Sequence, residues 1–227
     1  MAYVQSNGAG NSTAQNPTLA FGSNVAAGGC LVVATCDDFG PNSTAPTDTR
    51  SNTYTRARAV VTDANFYNHN VWVAPNTTGG ANTVTAHLQG TPSSGSWWIA
   101  EYSGRASSSV VSATATNEQA TPGTGAAGVT CGPATAVAGD DAVLYLADTG
   151  GISAGTFSVG SGGSTERGEW GGTGVDIDIA LHDKQNVSAG ATTLTAQQAN
   201  DERTVTILVL LKAAAGGGGI TTAWIRA

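Results

Sequence analysis

The residues able to do chemistry in this chain are few, and their spacing serves chemistry poorly. Gly151-Ile152-Ser153-Ala154-Gly155 matches G-x-S-x-G, which makes Ser153 a nucleophile only where a strand turns sharply into a helix and lifts the hydroxyl towards a His. Thr156-Phe157-Ser158-Val159 follows and alternates like another strand, so the expectation is a structural turn. His69, His87 and His182 show neither H-E-x-x-H nor i, i+4 spacing and are expected at surfaces or turns. Asp176 and Asp178 alternate with Val175, Ile177 and Ile179, which places both carboxylates on one strand face about 7 Å apart. Joined by Asp183, Asp37-Asp38 or Asp140-Asp141, they could offer oxygens to Ca²⁺, which collects about six to eight; a solvated strand face is the expectation. Glu101 and Glu166 could be imagined as a glycosidase pair, for which the distance between carboxylates is the test. Cys30, Cys36 and Cys131 lack C-x-x-C spacing and read as buried apolar thiols. A bridge from Cys30 to Cys131 across neighbouring strands stays open. The expectation is therefore no catalytic residue, no metal ligand and no cofactor.

The elements that must position these residues follow from composition. Gly makes up 31 of 227 residues and only 11% are charged, beside abundant Thr, Ser, Ala and Asn. Gly and β-branched residues form helices poorly, so the chain is expected to be all-β. A net charge of -7 with nine Lys+Arg argues against a nucleic-acid surface, which needs a basic stripe, and against an anionic membrane. The longest apolar run, Ile207 to Leu211, is far short of the roughly 20 residues a bilayer requires. Met1 to Gln5 has neither a basic nor an apolar signal region, so synthesis in a cytoplasm without secretion is expected.

The strongest pattern is an internal duplication. Ala27 to Val33 resembles Ala138 to Leu144, and Ala81-Asn82-Thr83-Val84-Thr85-Ala86 reads against Ala191 to Ala196, 110 apart. Trp97-Trp98-Ile99 reads against Ile207-Leu208-Val209, also 110 apart, and Asn70 to Ala74 against Asp176 to Ala180, 106 apart. Short alternating strands between turns indicate an antiparallel jelly-roll-like β-sandwich over residues 1–212, with copies of roughly 1–105 and 106–212. The alternative is two immunoglobulin-like sandwiches in tandem. Residues 121–125 are expected to mark a flexible joint between copies. Residues 213–227 read as a Gly-rich linker and a C-terminal arm carrying Ile220, Trp224 and Ile225.

Aromatic positions carry the functional expectation. Trp72, flanked by Val71 and Val73, is expected to point away from the core that the valines face. Trp97 and Trp98 are strand neighbours and face opposite sides, and Ile207 to Leu211 is apolar on both faces. The second cover is expected to be another protomer or an arm, which makes Trp72, Trp97, Trp98, Ile220, Trp224 and Ile225 the candidate interface.

Four segments taken in order, Ala27 to Val33, Ser51-Asn52-Thr53-Tyr54-Thr55, Val71 to Ala74 with Ala81 to Thr85, and Ile99-Ala100-Glu101-Tyr102-Ser103-Gly104, resemble β-sandwich modules of tailed-phage virion proteins and bacterial surface proteins. The resemblance spans about residues 15–212 and brings no catalytic residues with it. It implies a non-enzymatic virion structural protein, a phage capsid decoration or cement protein or a head or tail appendage. Its partners would be further copies of itself and a major capsid or other virion protein. A carbohydrate-binding module, using Trp72 or Trp170 as a sugar platform, is the alternative.

Overall fold

The computed structural model describes residues 2–10, 12–38, 43–62, 67–121, 123–124, 128–149, 157–171, 177–199 and 202–215. The first half forms β1 (Ala2–Ala9), β2 (Thr18–Ala20), β3 (Cys30–Asp37), β4 (Thr44–Asp48), β5 (Thr55–Val61), β6 (Asn68–Pro75), β7 (Thr83–His87) and β8 (Gly95–Ser103). The second forms β9 (Val111–Gln119), β10 (Val129–Ala136), β11 (Asp141–Asp148), β12 (Phe157–Val159), β13 (Thr165–Trp170), β14 (Asp178–Lys184), β15 (Gly190–Gln198) and β16 (Thr204–Leu211). Every strand pair is antiparallel and no helix occurs among the described residues. β4 carries a proline in mid-strand. Its Pro46 removes a ladder donor, and the structure accommodates it at a sheet edge, inside a register shift between Thr44 and Thr47.

The duplication is visible in the topology. Sheets ordered β1-β8-β3-β6-β5 and β2-β7-β4 recur, eight strands later, as β9-β16-β11-β14-β13 and β10-β15-β12. Irregularities recur too, since β1 and β9 are both bulged near their starts, between Tyr3 and Gln5 and near Val111. β5 and β13 carry matching bulges at Ala57 and Arg167. Register corrects the sequence alignment. Val33 faces Trp72 while Leu144 faces His182, so Trp72 matches His182 and not Asp178. Cys30 faces Tyr102 and Asp141 faces Leu211, which pairs Trp98 with Ile207.

Each half closes its own sandwich, and the two five-stranded sheets then pack on each other, giving four layers with three cores. Cys30, Val32, Ala34 and Cys36 of β3 point into the central core with Val143, Tyr145 and Ala147 of β11. Leu31 and Val33 point the other way, towards Val84 and Ala86 of the first small sheet. Leu144 and Leu146 likewise meet Leu194 and Ala196 of the second. This is why β3, β8, β11 and β16 read as unbroken apolar runs: strands covered on both faces lose their alternation. β1 packs against β13 and β5 against β9, so first and fifth strands exchange roles across the interface as in a two-fold dimer. The strand order differs from the immunoglobulin arrangement, in which the first strand lies beside the second.

Candidate functional site

The joint between the halves is the segment after Ser103, not residues 121–125, which follow β9 inside the second half. Arg105 pins it. Its guanidinium, 3% exposed as a residue, lies 3.3 Å from Asp141 and donates to the carbonyls of Gly139 and Leu211 at 3.3 and 3.1 Å. Burial pushes the Asp141 carboxyl up, while the Asn186 amide and Arg105 pull it back. Ala106 and Ala214 donate to Lys212 and Gly104, and Lys212 donates to Val110, so the joint and the end of the second half form one braid.

The shared core has two seams related by the approximate two-fold. At the β1/β13 seam the Arg167 guanidinium stacks 4.2 Å over the Tyr3 ring and donates to Asp183 at 2.9 Å. Tyr3 in turn meets Tyr102 edge-on, with centroids 6.0 Å apart. Burial raises the Asp183 carboxyl and the Arg167 charge opposes the rise. Trp170 lies flat on Gly8, where an added Cβ would sit 2.1 Å from its ring, so this approach requires glycine.

At the β5/β9 seam the matching places carry Val111 for Tyr3, Ala57 for Arg167, Val73 for Asp183 and Thr116 for Gly8. The result is a groove of ≈ 350 Å³ lined by Thr55, Arg56, Ala57, Val73, Pro75, Ser109, Val110 and Val111. Arg56 stands at its rim, 4.3 Å over the Trp72 ring and donating to the Ser43 carbonyl.

Comparison of the chain with protein-family models, with curated proteins and with solved structures returns no match.

The sequence-based interface needs correction. Trp72 is 5% exposed and Trp97 and Trp98 are 0% exposed, as are Ile207 to Leu211. The second cover is the other half of the same chain for Trp98, and the small sheet for Trp72 and Trp97. None of the three presents its ring to a partner, and Trp72 offers no sugar platform. Trp170 is half-buried against Gly8 and Gly168. Ile220, Trp224 and Ile225 lie outside the described residues, as do Ser153 and Asp176.

Two histidines expected at surfaces are sealed in strands. His69 meets the Tyr145 hydroxyl at 2.9 Å across the central core, and burial lowers its pKa to about 3. Burial lowers His182 to about 4. His87 is half-buried, with ring nitrogens 2.6 Å from Asn16 and 3.0 Å from Thr47. Asp178 and Asp183 are buried instead of lying on a solvated face, and no group of three metal-ligating side chains occurs among the described residues. Glu169 is pushed up to about 7 by burial and by the charges of Asp178 and Glu166. Glu101 has a structural use, accepting from the Ala26 amide at 2.7 Å and from Gln5 at 2.6 Å. The three cysteines are free and buried, with Cys30 and Cys131 in different cores, so no Cys30–Cys131 bridge forms.

The motifs behind the resemblance prove mechanical. Asn52, Tyr54 and Asn82 all donate to the Asp48 carboxylate, at 2.8, 2.8 and 3.0 Å. Burial works to raise the Asp48 pKa, but these bonds outweigh it and hold the group below its ordinary value. The clasp of Tyr3, Arg167 and Asp183 escaped sequence reading. Its trace in the sequence is an arginine in β13 where the duplicated strand has Ala57.

Proposed function

We propose that this chain is a non-enzymatic structural protein of a virion, a tailed-phage capsid decoration or cement protein or a related head or tail appendage. The observation that carries the reading is the fusion of two sandwiches through their wide sheets. That fusion uses the apolar faces of the wide sheets internally and leaves a block whose outward-facing residues on the small sheets are mostly small or polar, with Val159 of β12 exposed among them. Thr18, Thr85 and Thr47 stand side by side across β2, β7 and β4, for example. The described residues that the resemblance rests on, Asp48's partners and Glu101, brace loops and do not converge on a cleft. Such a block suits repeated contact with a capsid or tail protein, or with further copies of itself, through polar faces and sheet edges. Its net charge of -7 makes a nucleic-acid partner unfavourable. Its place would be the virion, after synthesis in the host cytoplasm.

The test is immunogold electron microscopy of purified phage particles from the source material, with antibody raised against this chain. Label at regular positions on heads or tails is the expected result. Unlabelled particles, together with glycan-array binding that Trp170→Ala abolishes, would replace this reading with the carbohydrate-binding module.

A further inference from the structure

We propose that the groove at the β5/β9 seam is the docking site for the chain's own C-terminal segment, Ile220 to Ala227, with the Trp224 side chain as its anchor. This goes beyond the structural reading above and does not depend on it.

Three observations meet at the groove. The first is the comparison of seams. The same backbone, with the same bulges, is filled at one seam by the Tyr3 ring and the Arg167 stem. At the other it carries Val111 and Ala57, and the space those two side chains would occupy is open. The lining includes Ala57, Val73, Pro75, Val110 and Val111 and contains no carboxylate. It therefore calls for an aromatic or aliphatic group without a counter-ion.

The second is reach. Lys212 donates to Val110, a groove residue, at 2.7 Å, so the chain passes the groove three residues before Ala215, the last described residue. From Ala215 to Trp224 are nine residues, an extended span of up to about 30 Å at ~3.3 Å per residue. A tether of this length holds its segment at an effective concentration in about the mM range, so modest affinity suffices.

The third is the segment's composition. Ile220-Thr221-Thr222-Ala223-Trp224-Ile225 follows Gly216 to Gly219 and is rich in β-branched and aromatic residues, which favour pairing with an open sheet edge. β5 and β9 end their sheets and offer such edges on either side of the groove.

Hydrogen exchange read by mass spectrometry on the full chain tests this. In the unaltered protein, amides of 220–227 should exchange at least about tenfold more slowly than in an unstructured peptide, at every concentration tried. Trp224→Ala should remove that protection. Ala57→Arg with Val111→Tyr, which copies the filled seam, should release 220–227 while an unchanged circular dichroism spectrum reports an intact fold. Should that pair fail to fold, Trp224→Ala alone decides. Peptide-like exchange of 220–227 in the unaltered chain, or protection that survives Trp224→Ala, would overturn the proposal. Protection that grows with protein concentration would also overturn it, because the occupant would then be a second copy's segment.

Discussion

At one edge of the shared core a tryptophan lies on a glycine and an arginine on a tyrosine. At the opposite edge the same backbone carries threonine, alanine and two valines, and a groove remains. The difference separates what duplication preserves from what it releases. Strand order, bulge positions and the alternation of faces recur in both halves because sheet geometry and two-sided burial fix them. The rim is less constrained. A side chain there has neighbours on one side only, so one seam could acquire a charged clasp and the other could stay small without disturbing the layers between.

The joint should show the largest effect, because both side chains of its Arg105–Asp141 pair are fully buried. Arg105→Ala leaves the buried Asp141 with the Asn186 amide but without a counter-ion and should cost about 3–5 kcal/mol in urea unfolding. Loss of under ~1 kcal/mol would mean that the halves hold together without the pin.

Acid should come next. His69 spans the two halves, and its match in the second half is Ile179. With a folded pKa of about 3 against 6.5 unfolded, the unfolded chain takes up this proton first. The contribution is complete above pH 6.5 and falls by about 1.4 kcal/mol per pH unit below it, until about pH 3. Glu169 acts in the opposite sense. Its raised folded value, about 7, adds stability that is full below its unfolded value of 4.5 and is lost as pH rises through 7. His69→Ile cancels that term by comparison with the parent. The variant should be weaker at neutral pH, where the Tyr145 hydroxyl keeps Cys36 but loses the imidazole, yet flatter between pH 6.5 and 4, by about 3 kcal/mol in total. Parallel stability curves would show that His69 is solvated.

Gly8 and Thr116 give the sharpest seam comparison. Gly8→Ala drives a Cβ into the Trp170 ring and should cost about 1–3 kcal/mol, while Thr116→Ala at the open seam should change stability by under ~0.5 kcal/mol. Equal effects at both places would mean that the seams are packed alike.

The sequence carried the duplication and the strands well, because both are written in apolar alternation. It carried register less well. Apolar alternation sets Asn70 to Ala74 four residues out of place, and an even slip keeps every side chain on its face, so alternation cannot expose the error. The slip of one at Trp97 did change faces, and Trp98 with Ile207 is the true match. What covers the second face of β8 and β16 was beyond the pattern altogether. A two-sided apolar strand demands a cover without saying whose, and a second protomer and the chain's own other half satisfy it equally. The clasp was hidden for a related reason: Tyr3 and Arg167 are 164 positions apart in a chain whose two-fold arrangement brings the first strand onto the thirteenth.

Hydrogen exchange on β3, β8, β11 and β16, in samples shown by sedimentation to be monomers of 22.5 kDa, tests most directly whether the halves seal each other. Their amides should exchange only through one global unfolding event, with the same free energy in both halves and no dependence on concentration. Two separate opening energies, or protection that vanishes when the protein is diluted, would contradict a core shared within one chain.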